Sequence, residues 1–161
     1  MTFEGKTVFI TGGSRGIGLS IVKKLASDGA NVVIAAKTTT PKPNLPGTIY
    51  TAAKEIEDVG GRCLPVECDI RYENQIITAV EAGIKEFGGI DICINNASAV
   101  APLPTEATEM KRYDLMQEIN TRGTFLTTKI CLPYLKKSTH AHILTLSPPI
   151  DIDDKWFAPH V

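Results

Sequence analysis

The sequence predicts an α/β fold, a doubly wound parallel sheet that stops after its fifth strand, and three observations predict it. Apolar strand-like runs alternate with amphipathic helical patterns along the whole chain. Runs such as Asn31-Val32-Val33-Ile34-Ala35-Ala36 and Ile90-Asp91-Ile92-Cys93-Ile94 are almost wholly apolar, as strands covered on both faces by helices should be. The first strand also enters its helix through a glycine-rich turn.

Strand one covers Lys6 to Thr11. The turn Gly12-Gly13-Ser14-Arg15-Gly16-Ile17-Gly18 opens a helix in which Ile17, Ile21 and Leu25 recur at four-residue spacing, the expected buried face. That helix stops near Gly29, a favourable residue just past a helix end. Strand two is Asn31 to Ala36. The segment Thr38 to Gly47 carries Pro41, Pro43 and Pro46, which rule out regular structure and leave a surface loop. A helix from Thr48 to Val59 follows, ended by Gly60-Gly61, and then strand three from Cys63 to Cys68. The next helix aligns Ile76, Val80, Ile84 and Phe87 and ends at Gly88-Gly89. Strand four is Ile90 to Ile94, the longest helix runs from Thr108 to Lys136 with Pro133 expected to bend its last turn, and strand five is Ala141 to Ser147. Right-handed crossovers order five such strands most simply as 3-2-1-4-5, a Rossmann-type arrangement with its crevice at the carboxyl ends of strands one and four.

Composition narrows the function classes. A chain of 161 residues reads as one domain over 1–161, large enough to bury a core. A net charge of −1 supplies neither a basic face for nucleic acid nor a polybasic membrane patch. No apolar run approaches the roughly 18 residues that span a bilayer, and no secretory leader pattern opens the chain. Cys63, Cys68, Cys93 and Cys131 form no C-x-x-C and read as reduced thiols of an intracellular protein. His140 and His142 lack a cysteine or carboxylate at matching spacing, so no metal site is expected.

Strand, glycine turn and helix in that order form a dinucleotide phosphate site. Gly12 can take a turn conformation closed to other residues, Gly16 lets the backbone approach a pyrophosphate, and Gly18 lets the helix pack closely. Free N–H groups and the positive end of the helix dipole complete the anion site. An acidic residue at the end of strand two would bond ribose hydroxyls and repel a 2′-phosphate. This chain has Ala36 and Lys37 there, with Arg15 in the turn. Two cations without a carboxylate suit NADP, with NAD as the lesser candidate, although both cations also read as ordinary solvated residues.

The wider spacing T-G-x-x-x-G-x-G, together with Asn95-Asn96-Ala97 after strand four, resembles the short-chain dehydrogenase/reductase family. Ala35-Ala36-Lys37, Pro46 to Ala53, Asn120-Thr121-Arg122-Gly123 and Leu146-Ser147-Pro148-Pro149 resemble its hydroxysteroid dehydrogenase-like branch. The resemblance implies that Asp69 contacts the adenine amino group, that Ile70 walls the ring, and that the backbone at Asn96 and Ala97 lines a ribose. Read from the residues alone, Asp69 is equally a cap for the helix beginning near Tyr72, and Asn95 reads as a structural bond across the central strands. The family usually has glycine where this chain has Ser98.

Catalysis in that family uses a Tyr-x-x-x-Lys pair after strand five, a serine and an asparagine. By resemblance Asn120 is the asparagine and Ser147 the candidate serine, although Pro148 takes the place of a second serine. Tyr50 and Lys54 have the right spacing in the wrong helix, so Tyr50 is expected to pack and Lys54 to be solvated. The missing pair makes the chain read as a fragment or a truncated product, inactive by itself. The expected function is an NADP-preferring oxidoreductase acting on a small-molecule ketone or secondary alcohol. The alternatives are a non-catalytic dinucleotide-binding module or an inactive truncation product. The resemblance further implies a homo-oligomer and a peroxisomal compartment, although His160-Val161 is not a peroxisomal address.

Overall fold

In the computed structural model, residues 2–43 and 45–148 are described. Strand β1 (Thr7–Thr11) is buried along its whole length, because it lies in the middle of a sheet with helices on both sides. It pairs in parallel with β2 (Asn31–Ala36) through Val8↔Val32 and Ile10↔Ile34, and with β4 (Ile92–Asn95) through Val8↔Ile92 and Phe9↔Cys93. β3 (Arg62–Glu67) and β5 (His142–Thr145) flank these, giving the expected order β3-β2-β1-β4-β5. Pro65 is tolerated because β3 pairs only with β2 and lies at an edge of the described sheet.

Strand alternation divides the core in two. Val8, Ile10, Val32, Ile34 and Ala36 point to one side, where α1 (Gly16–Ser27) and α2 (Ile49–Glu57) supply Val22, Ala26, Ile49, Ala52 and Ile56. Phe9, Val33, Ala35 and Cys93 point to the other, against α3 (Glu73–Phe87) and α5 (Thr124–Leu135) through Ile76, Val80, Leu126 and Cys131. All four cysteines are free; Cys68, Cys93 and Cys131 are buried and Cys63 is half-buried. The chemistry of the turns sets the helix ends. Thr48 and Thr51 close a reciprocal capping box on α2 at 2.8 and 3.1 Å. Gly88 ends α3 in the left-handed conformation, φ +86°.

Several expectations need correction. The face α1 buries is centred on Gly18, Val22 and Ala26, and Ile17 is 69% exposed. Ile21 and Leu25 only flank the core, because small residues at 18 and 26 let the helix lie close to the sheet. Tyr50 does not pack; it is 57% exposed on α2. Asp69 does not cap α3, which begins after Tyr72 without a side-chain cap; the Asp69 carboxylate accepts the Arg71 N–H instead. The longest helix starts as α4 (Met110–Met116), winds as a π-helical segment over Gln117–Gly123, and continues as α5, which carries Pro133 and still reaches Leu135. A π turn inserts a residue and rotates the remainder of the helix, and such turns gather at functional sites. β5 is shorter than expected, and its apolar Ile143 and Leu144 are half-exposed.

Candidate functional site

The carboxyl ends of β1, β2, β3 and β4 open onto one cavity of about 480 Å3. Its floor is the turn between β1 and α1. Gly12 has φ +72° and lies so close to the residues after β4 that a Cβ would sit 2.9 Å from Ala97 Cα. Gly18 is as tightly placed, since its Cβ would stand 2.5 Å from Asn96 Nδ2 and 2.9 Å from the Gly12 carbonyl oxygen. Gly16, φ +55°, has open space where a Cβ would be. The start of α1 carries no side-chain cap and no acidic residue in its first turn. Its leading N–H groups and the helix dipole are therefore left for an anion.

Two polar residues fasten this turn to β4. Asn96 Nδ2 donates to the carbonyls of Thr11 at 2.9 Å and Gly12 at 3.0 Å. Thr11 Oγ1 accepts the N–H groups of Asn96 and Ala97, both at 3.1 Å. Thr11 is the fastener that sequence reasoning missed; its place immediately before the glycine turn was the available signal. Asn95 bonds across strands as expected, donating through Nδ2 to Thr128 Oγ1 at 3.0 Å and Thr145 Oγ1 at 3.3 Å.

Gly12, Ser14, Arg15, Ile17 and Gly18 line the cavity, which gives the exposed Ile17 its surroundings. Gly13 does not; it faces the sheet, where a Cβ would meet Ile10 Cγ2 at 2.8 Å. Lys37 stands at the end of β2, with Asp69, Ile70, Asn96 and Ala97 around the same cavity. Leu115 and Ile119 close it from the long helix, and their four-residue spacing was the signal that could have placed them there.

Arg15 is not a free cation. Its guanidinium donates to the carbonyls of Gly47 at 3.0 Å and Leu45 at 3.4 Å, tying the proline-rich loop to the glycine turn. Asp69 is bound on both oxygens by Arg71, with Nη2–Oδ2 at 2.7 Å and Nε–Oδ1 at 3.0 Å, and Lys37 Nζ lies 3.9 Å away. Burial pushes the Asp69 carboxyl up, but the Arg71 hydrogen bonds, with the charges of Arg71 and Lys37, outweigh it and hold the pKa below its usual value. The site thus keeps an ionised carboxylate that is already paired.

The two candidate catalytic residues lie outside the cavity lining. The Asn120 carboxamide clamps the loop after β4, accepting the Ala99 N–H at 2.9 Å and donating to the Ala99 carbonyl at 2.8 Å. Ser147 is exposed, and its hydroxyl donates to the Pro148 carbonyl at 3.2 Å. Tyr50 and Lys54 ride on α2, which packs against β2 and β3, away from β4 and β5. Among the described residues no cluster of histidine, cysteine and carboxylate could hold a metal, and no helix is long and apolar enough to cross a membrane.

Comparison with known proteins agrees with this geometry. The chain is 61% identical over 156 residues to hydroxysteroid dehydrogenase-like protein 2 of Xenopus laevis, covering 97% of this chain and 37% of that protein. The human protein of the same name gives the same 61% identity and the same 97% and 37% coverage, so the chain spans little more than a third of these curated relatives. A short chain dehydrogenase of Mycobacterium thermoresistibile superposes with a TM-score of 0.92 at 53% identity, covering 98% of this chain and 56% of that one. Residues 6–149 match the family described as short chain dehydrogenase. With its glycine turn opening a parallel 3-2-1-4-5 sheet and fastened to Asn96, the chain belongs to the short-chain dehydrogenase family of NAD(P)-dependent oxidoreductases.

Proposed function

We propose that the chain, as one domain over residues 1–161, is the cofactor-binding portion of an NADP-preferring oxidoreductase acting on a small-molecule ketone or secondary alcohol. The observation that carries the preference is the end of β2. Lys37 stands there on the cavity rim, no carboxylate occupies that place, and the nearest one, Asp69, is bound by Arg71. In this reading the N–H groups from Ser14 to Gly18 hold the pyrophosphate. Asp69 and Ile70 receive the adenine, the backbone at Asn96 and Ala97 lines a ribose, and Lys37 with Arg15 faces the 2′-phosphate. The tight approach of Gly12 and Gly18 to Asn96 and Ala97 leaves the turn as bare backbone, which fits a dinucleotide's phosphates.

A nicotinamide held here would supply the hydride chemistry, as donor when reduced and as acceptor when oxidised. Asn120 holds Ala99, a cavity-lining residue of the loop after β4, which suits the positioning part of a proton relay, and Ser147 just past β5 is the candidate to orient a carbonyl oxygen. The likeness to the hydroxysteroid dehydrogenase-like proteins supports the oxidoreductase class; a steroid substrate is not part of the proposal. A homo-oligomer, for the full-length family member, and a peroxisomal compartment complete it, on resemblance.

Direct titration tests the preference. NADPH is expected to bind more tightly than NADH. Lys37→Ala should weaken NADPH selectively by about 1 kcal/mol, as befits one largely exposed charge contact. Lys37→Asp should reverse the preference. Equal NADPH affinity in all three proteins overturns the assignment.

A further inference from the structure

The Asp69 carboxylate is only 14% exposed and has two cations within reach. Arg71 takes nearly all of its bonding capacity. Its Nε reaches both oxygens at 3.0 and 3.1 Å, its Nη2 reaches Oδ2 at 2.7 Å, and its backbone N–H reaches Oδ1 at 3.1 Å. Lys37 is left at 3.9 Å, the looser partner of a carboxylate already matched in charge. Only Lys37 and Asp69 of these three line the cavity.

Arg71 is itself held from behind. Glu118 Oε2 lies 3.7 Å from its Nη1, Arg122 Nη1 donates to its carbonyl at 2.6 Å, and its guanidinium lies over the Tyr72 ring at 5.4 Å. Glu118 and Arg122 both belong to the π-helical segment, so the irregular turn of the long helix fixes the orientation of Arg71. That orientation is a fork on a carboxylate, which a lysine's point charge does not reproduce.

We propose that Arg71 is a positioning residue for cofactor choice: by saturating Asp69 it leaves the Lys37 ammonium available to the 2′-phosphate of NADP. Without Arg71, a mostly buried carboxylate would lose its partner, and such a charge is costly unless another cation takes over. Lys37, on a flexible four-carbon arm already 3.9 Å away, is the nearest. Its capture would draw the ammonium toward β3 and leave the phosphate facing a charge-neutral pair in place of a net positive cluster. A cofactor with a 2′-hydroxyl makes no bond to that ammonium, and any change at the adenine beside Asp69 falls on both cofactors alike. The inference rests on Lys37 as the phosphate contact, and its test separates the two.

Dissociation constants for NADPH and NADH are measured by fluorescence titration on the whole chain and on Lys37→Ala, Arg71→Met, Arg71→Lys, the Asp69→Asn/Arg71→Met double variant and the Lys37→Ala/Arg71→Met double variant. The readout is the ratio of the two affinities, because general loosening of the fold weakens both cofactors alike. Arg71→Met is expected to lower the ratio of NADPH to NADH affinity about three- to tenfold. Arg71→Lys, which keeps the cation and guards against loss of the fold, should hold more of the preference. Asp69→Asn in the Arg71→Met background should restore it, since no carboxylate then competes for Lys37. In the Lys37→Ala background, Arg71→Met should change the ratio no further. Equal weakening of both cofactors by Arg71→Met, or failure of Asp69→Asn to restore the ratio, overturns the role of Arg71 while leaving Lys37 standing. An unchanged ratio in Lys37→Ala overturns the Lys37 reading and this one with it.

Discussion

At Gly18 a side chain has nowhere to go. A single methyl would press on Asn96 Nδ2 and on the Gly12 carbonyl, both of which belong to the junction that shapes the turn. Gly18→Val is expected to abolish cofactor binding and to lower stability by about 1–3 kcal/mol, the usual range for an overpacked site. Cofactor titration and thermal unfolding check it; retained binding with unchanged stability would reduce the motif to an ordinary tight turn. The glycines were legible in the sequence because their constraint is local and depends on spacing alone. Thr11 was less so, since a threonine at a strand end reads as strand. The Asp69–Arg71 fork lies two residues apart, yet its importance comes from Lys37 on a neighbouring strand and Glu118 on a distant helix. No local pattern carries that information.

Among the elements, sheet order was legible and the facing of helices only partly so. Four-residue spacing located α1 correctly but put its buried face one residue off, because glycine and alanine at 18 and 26 set the close approach and carry little hydrophobic signal. The π-helical segment was invisible for a related reason. What the segment touches is tertiary: Gly123 sits where a Cβ would stand 2.7 Å from Ile70 Cδ1, and Asn120 bonds Ala99. Asn120→Leu removes both bonds of that clamp. Because the clamp is exposed, water takes over part of its bonding, and the expected loss is about 1–2 kcal/mol in urea unfolding. Amide exchange should quicken in the loop after β4 while β1 is unaffected. Unchanged exchange there would show that the loop holds its place without the carboxamide.

For the molecule as a whole, the expectation is a chain that binds cofactor without turning over. The 161 residues contain one Tyr-x-x-x-Lys spacing, and it lies on α2 with Tyr50 facing solvent. A positioned acid typically contributes about 10²–10⁴-fold to such reactions. Neither the carboxamide of Asn120 nor the unassisted hydroxyl of Ser147 is a competent acid near neutral pH. Saturating NADPH and a panel of simple ketones should therefore give no measurable oxidation by this chain alone, with binding intact. Turnover abolished by Tyr50→Phe would make the early pair catalytic and overturn the reading.

The buried cysteines have a kinetic consequence. Burial, with the charge of Glu57 added, pushes the Cys63 thiol up to about 12, and burial with Asp69 does the same for Cys68, also to about 12. A hydrogen bond to Cys93, with burial behind it, raises Cys131 further. Thiols pushed up in this way stay protonated near neutral pH, and only the thiolate attacks an alkylating or oxidising reagent. Reagent can therefore meet the buried Cys68 and Cys131 sulfurs at a useful rate only while a strand or helix is briefly lifted away, whereas Cys63 is half-buried. The thiols of Cys68, just after β3, and Cys131, on α5, record how often helices and sheet part.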